Sequence, residues 1–434
     1  MRRPALSSDT GRDAASSHTA NSHTSGSHTD SGDMVSVDSH LAEILATIRP
    51  LPPVMLGLAE AEGGVLAEDV TAGTPLPSFD NSAMDGYAVR AQDIEGASEA
   101  APVTLPVTAE IAAGDTGSYQ VTPGSCVRIM TGALLPPGAD AVVQVEWTDG
   151  GTSRAQFRRP VAPGDAIRRR GDDVAQGDVL VTAGTWVGSV QLALLAADGV
   201  GSALVRPRPR VAVISTGNEL AEPGTPIIPG RIWDSNSFML AAAARQAGAV
   251  ADRHRISDDP AGVLTAIEDQ LAHADLLVTS GGVSMGGEHD VVKAALAGLG
   301  TVTFRKVAMQ PGMPQGFGVV GAQRTPIFTL PGNPVSAFVS FELFVRPALR
   351  ALQGLNTERT SPARAVLTGA VRSPHGRRSF LRGVLDAEEG TVTPLTGQAS
   401  HQLGALAQAN ALIVVPEQVV AMDAGDPAEV VRLP

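Results

Sequence analysis

Apolar and polar positions divide the chain into stretches of different texture. Residues 1–33 hold almost no apolar side chains; Ser, Thr, Asp, Gly and His dominate, and the near-repeat SHTANSHTSGSHTD carries His18, His23 and His28. So little apolar surface cannot offset chain entropy, which predicts a disordered tail. The five-residue His spacing would suit weak metal binding, and the plainer expectation is a solvated segment. Order is expected from Met34. Leu41, Ile44, Leu45 and Ile48 recur at helical spacing behind Ser and Asp capping candidates, and Pro50 ends the run. A second helix or helix pair is expected over 54–68.

Across 72–165 short β-type runs (DGYAVR, VTLPVTAEI, SCVRIMTG, AVVQVEW) alternate with Gly and Pro, the pattern of a small β-rich domain inserted in another unit. The flanking pieces, 34–71 and 166–206, would then form one composite N-terminal domain. The second piece carries strand hairpins around GDVLVTAGTWV and a helical patch with Leu192, Leu195 and Ala196 on one side. RPRPR (206–210) reads as a stiff linker.

From 207 to 350 strands and helices alternate: VAVIS, SNSFMLAAAARQAG, AVADRHRIS, PAGVLTAIEDQLAHA, LLVTS and DVVKAALAGL. Strands at FRKVAM, GFGVV and PIFTL follow, then a closing helix, VSAFVSFELFVRPAL. This order predicts a doubly wound, mostly parallel α/β domain with its ligand beyond the strand C-termini. Residues 358–434 return to short strands and predict a small, barrel-like β domain. The fold class is multidomain α/β plus β.

Length and charge narrow the function. A chain of 434 residues implies about three or four units. With 43% hydrophobic and 18% charged residues and no long apolar run, a soluble cytoplasmic protein without a membrane span is expected. Cys126, the one cysteine, excludes an internal disulfide and reads as a small core residue. The net charge of −13 argues against nucleic-acid binding, because phosphate contacts need a basic surface; a local basic cleft is the exception to look for.

The stretch 275–287, DLLVTSGGVSMGG, is a buried strand running into a glycine turn. Gly281 and Gly282 leave backbone N–H groups bare, so a polyanion could dock there; the plainer alternative is an ordinary strand-to-helix connection. Three further turns should share its sheet edge: Ser215–Glu219, Ile256–Asp259 and Leu330–Pro334. Thr216, Gly217, Ser280, Gly281, Gly282, Ser284, Pro331, Gly332, Asn333 and Pro334 would then line a phosphate pocket. Pro334 fits a first helical position and Asn333 the cap before it. Glu219, Asp258, Asp259 and Asp290 add hard oxygen ligands suited to Mg²⁺ beside phosphate, although any one Asp is more often a helix cap than a ligand. Arg168, Arg169 and Arg170 supply planar donors for phosphate or oxyanion, against the plainer reading of a solvated run.

Six strings carry a resemblance: FDNSAMDGYAV (79–89), RIMTGALLPPGADAVV (128–143), IRRRGDD (167–173), STGNEL (215–220), SGGVSMG and LPGNP. From about residue 36 to 434 the chain resembles the molybdopterin molybdenumtransferases, the MoeA proteins and the gephyrin E domain. The resemblance implies an elongated homodimer of four-domain subunits, a MogA/MoaB-like α/β domain, and an active site in a cleft shared between protomers. It implies insertion of molybdenum from molybdate into adenylylated molybdopterin, with Mg²⁺-dependent release of AMP. By position it makes Asp85, Thr131 and Lys306 catalytic, with Asp85 assisting phosphoanhydride cleavage or positioning metal and water. Glu219, Asp258 and Asp290 become the metal ligands. On local sequence Asp85 fits equally an Asx turn before Gly86.

Two departures stand out. Gln310 and Met313 occupy a turn where relatives commonly carry lysines; an amide still donates hydrogen bonds, but the charge is gone. The spacing in GGEHD (286–290) is one residue long, which leaves Glu288 as the substitute for Asp290. The alternatives are a molybdopterin adenylyltransferase, which needs only the α/β domain, and a noncatalytic gephyrin-like scaffold. Molybdopterin adenylyltransferase and molybdoenzyme maturation factors are the partners the resemblance brings with it.

Overall fold

Strand Arg210–Thr216 shows why the centre of the molecule is a sheet covered on both faces. Val211 and Val213 enter one apolar cluster and Ala212 and Ile214 another, so neither face is polar. The computed structural model describes residues 34–256, 259–281, 291–357 and 363–433. The sheet order is Val250–Ile256, Arg210–Thr216, Leu276–Ser280, Thr325–Leu330, Pro314–Val320, Val302–Lys306. The first four strands are parallel and the last two join antiparallel. Helix Asn236–Gln246 and the helical run from Pro334 cover one face; Pro260–Leu271 and Val291–Ala297 cover the other. The run from Pro334 widens by one residue over Phe341–Val345, just ahead of Pro347, which has no N–H to give to the preceding turn.

Helix Val37–Thr47 begins as its spacing predicts, with Ser36 Oγ accepting the Ser39 N–H. Its Val37 and Ile44 pack into the sheet's cluster with Leu240 and Phe344, and its Asp38 and Glu43 pair with Arg378 and Arg305. The helix expected over 54–68 is corrected. Val54–Gly57 is a strand against Ser202–Arg206, Leu58–Ala61 makes one helical turn, and Val65–Leu66 pairs on the other side of Ser202–Arg206. Val179–Val181 likewise pairs with Val70–Thr71 rather than folding back as a local hairpin. The RPRPR segment is fastened side chain by side chain: Arg206 donates to Leu51 O, Arg208 to the Gly248 and Ala249 carbonyls, and Arg210 to Asp275.

The insert is a five-stranded sheet ordered Ala141–Gln144, Gly86–Val89, Cys126–Ile129, Val103–Ile111, Arg154–Phe157, with an apolar cluster on each face. Cys126 is fully buried there and burial pushes its thiol up to about 12, an inert core residue as expected. Gly86 is squeezed between strands: a Cβ would stand 1.9 Å from Val143 O. Gly86→Ala should therefore cost at least ~1–3 kcal/mol by overpacking. Chemical denaturation checks this, and an unchanged midpoint would show that the strands part easily.

The C-terminal strands close into a barrel, since Arg378–Asp386 pairs with both Thr391–Pro394 and Ala411–Val415 while Ala363–Leu367 and Pro427–Arg432 complete the ring. Leu381, Ile413 and Val430 fill it. Met309–Gln310 pairs onto this barrel, tying it to the α/β domain. No helix among the described residues is long and apolar enough to cross a membrane.

Candidate functional site

Parallel strands deliver their C-termini to one edge, and here that edge is built from three turns in contact. Gly281, at φ +95°, is both strained and crowded for a side chain, since a Cβ would lie 3.0 Å from Thr216 O, and a Cβ on Gly332 would touch Gly281 Cα at 3.7 Å. The Gly281 N–H donates to Leu330 O at 3.2 Å. Asn236 Nδ2 bridges the turns, donating to Ser280 Oγ at 2.8 Å and Gly332 O at 2.7 Å. Beneath it, buried Asp234 accepts from Ser215 Oγ at 2.6 Å and from the Ser237 N–H at 3.0 Å, pinning a strand end to a helix start. Thr216 Oγ1 and Asn236 Oδ1 are buried without a partner among the described residues. Orphaned polar atoms at the strand C-termini are what a polar ligand would satisfy.

Glu219 is exposed at the rim, its carboxylate against Gly217. Lys306 ends strand Val302–Lys306 at this same edge. The turn after it is locked by buried Gln315, which donates to Gly312 O and Ser340 Oγ, both at 2.6 Å. Gln310 is exposed and pairs in register with Ser379. Pro334 opens its helix as expected, but Asn333 does not cap it with its side chain. The Asn333 amide instead donates to Ser400 Oγ at 3.0 Å, and Ser400 O accepts the Val335 N–H. Asp258, Gly282, Ser284, Asp290 and the substitute Glu288 lie outside the described residues.

A second group forms on the insert. Asp85 Oδ1 accepts the Thr131 N–H and Thr131 Oγ1, each at 2.7 Å, so the carboxylate reaches across to a neighbouring loop rather than closing an Asx turn. These bonds, backbone first, hold the Asp85 carboxyl below its ordinary value. Asp80 does the same for the arginine run, accepting the Arg170 N–H at 2.8 Å and Arg169 Nη1 at 2.7 Å, which lowers its own pKa. Arg168 pairs in register with Asn81, and all three arginines are exposed. Among the described residues, hydrogen bonds and ion pairs knit each group internally, and none joins Asp85, Thr131 or Arg168–Arg170 to the sheet-edge turns.

Sequence reasoning missed Asp80, Asp234, Asn236, Ser400 and Arg382. Arg382 is fully buried; it donates to Ala399 O at 3.1 Å and to Gly397 O, burial lowers its pKa, and its Nε and Nη1 have no partner among the described residues. A lone cation within the apolar strand SFLRGVL was the available signal.

Residues 35–199 match the family described as MoeA N-terminal region (domain I and II), 212–351 a probable molybdopterin binding domain, and 364–433 the MoeA C-terminal region (domain IV). The chain is 49% identical over 404 residues to molybdopterin molybdenumtransferase 2 of Mycobacterium tuberculosis, covering 92% of this chain and 99% of that one. It is 38% identical over 376 residues to the molybdopterin molybdenumtransferase of Bacillus subtilis, with 85% and 87% covered. The crystal structure of a molybdopterin biosynthesis MoeA protein from Pyrococcus horikoshii superposes with TM-score 0.72 at 33% identity, covering 92% of this chain and 98% of that one. The chain therefore belongs to the molybdopterin molybdenumtransferase family and has its role in molybdenum cofactor biosynthesis.

Proposed function

We propose that this chain transfers molybdenum from molybdate to adenylylated molybdopterin and releases AMP. The observation that carries the reading is the close-packed three-turn edge around Thr216, Gly281 and Gly332, with its unsatisfied buried oxygens, in a chain that also has the insert's Asp85–Thr131 pair. The edge would receive the pterin phosphates through the Gly332 backbone and the Ser280 and Thr216 hydroxyls. Lys306 would offset charge on phosphate or molybdate, and Arg168–Arg170 would collect the second anion. Asp85 would assist phosphoanhydride cleavage. Mg²⁺ binds through one or two carboxylates plus substrate phosphate, and exposed Glu219 is a fitting protein share of such a site, with Asp258 and Asp290 as its companions. When bound it would neutralise phosphate charge that builds up during cleavage. A single-turnover reaction with adenylylated molybdopterin, Mg²⁺ and molybdate should yield AMP and metal-loaded cofactor together. AMP without metal insertion, or neither product, would refute the assignment.

Two copies would complete the site, the insert of one facing the sheet edge of the other. Exposed apolar side chains support this: Phe79, Met84 and Leu134 surround the insert group, and Ile228, Ile232 and Trp233 lie beside Glu219. Mixing Asp85→Asn chains with Glu219→Gln chains should then restore activity that neither has alone, to roughly a quarter of wild type when mixed dimers are half the population and each keeps one intact site. No recovery in a verified mixed dimer would place both residues in one subunit's site.

A further inference from the structure

At the opposite edge of the α/β sheet lies a cavity of about 680 Å³ between the N-terminal unit and the strand N-termini. Its size falls within the ~300–1,000 Å³ usual for small-molecule sites. Arg208, Arg245, Arg346 and Arg350 line it, and Glu62 is the acidic residue in its wall. Backbone carbonyls hold three of these guanidinium groups: Gly248 and Ala249 hold Arg208, Ala251 holds Arg245, and Asn356 holds Arg350. A carbonyl orients a guanidinium without cancelling its charge. Among the described residues, Arg346 alone of the four is answered by a carboxylate, that of Glu342. Nη1 of each of the four makes no hydrogen bond among the described residues, which leaves planar donors for a ligand. In a chain of net charge −13 this is a local reversal of sign. Trp186, 51% exposed, adds an indole to the wall.

We propose that this cavity binds a nucleoside phosphate, the arginines taking the phosphates and Trp186 stacking on the base. It is separate from the molybdopterin edge, and because Glu62 and Trp186 come from one unit and the arginines from the other, an occupant would bridge the two. Calorimetric titration of the full chain with ATP and with pyrophosphate tests it. Arg245→Gln/Arg350→Gln should weaken ATP at least tenfold, and Trp186→Ala should weaken ATP several-fold while sparing pyrophosphate. Glu62→Gln should tighten ATP several-fold, a gain that misfolding cannot produce. Asn236→Ala, which disables the molybdopterin edge, should leave this binding in place. ATP binding that ignores the paired arginine change, that vanishes with Asn236→Ala, or that is matched by pyrophosphate would overturn the proposal.

Discussion

Asp85→Asn is expected to cut AMP release by ~100-fold or more while the protein melts where the wild type does. The reason lies in how the carboxylate is divided. Oδ1 is taken by both donors of Thr131, and Oδ2 makes no hydrogen bond among the described residues. Asparagine keeps an acceptor for Thr131 and the same shape, so what is lost is the carboxylate's charge. The side chain is exposed, which removes burial as a source of instability. Sign matters for the pH dependence. The Thr131 bonds depress the folded pKa, so their contribution is present above the ordinary value of 3.8 and fades only as pH falls through the lower folded value. The rate should accordingly show no inflection from Asp85 at or above 3.8. Normal turnover by the asparagine variant would remove Asp85 from the chemistry and leave it a loop tie.

The parts of the fold that were legible are those whose cause is local. VAVIS and LLVTS are buried at every position and open on the apolar runs VAVI and LLV because both faces are covered, and Ser36 caps a helix by accepting the N–H three residues on. Pro334 and the positive φ of Gly281 follow from ring and Cβ sterics that the sequence displays directly. What stayed hidden depends on partners far along the chain. VMLGLAEAEGG has acceptable helical spacing, yet Val54–Gly57 pairs with a strand at 202–206, and no local pattern announces that ladder. Asn333 was the right residue type for a cap, but a hydroxyl from the C-terminal barrel competes for its amide. Asn236 looks like an ordinary helix start, and its importance appears only when Ser280 and Gly332 arrive on either side. The site was thus readable as a list of turns, and the hydrogen bonds that hold them together were not.

Arg382→Met should separate stability from activity. The guanidinium is fully buried, no carboxylate pairs with it among the described residues, and two of its nitrogens lack partners, so its charge is a burden on the folded state. Methionine keeps much of the aliphatic stem and removes that burden, at the expense of leaving the Gly397 carbonyl without a donor, about 1–3 kcal/mol, while Ala399 O keeps the Gln402 N–H at 3.1 Å. An unpaired buried ion costs several kcal/mol, so the charge term wins and the midpoint of denaturation should hold or rise. Activity should fall at least tenfold, because Gly397 and Ala399 position Ser400, and Ser400 holds Asn333 and the first turn after LPGNP. Position and charge can be told apart by titrating molybdate. A cation that draws in the oxyanion predicts a raised half-saturating molybdate concentration, in a chain whose Gln310 supplies no charge on the neighbouring strand. A purely structural prop predicts a lower melting midpoint and an unchanged molybdate requirement, and that pairing of results would strike Arg382 from the site.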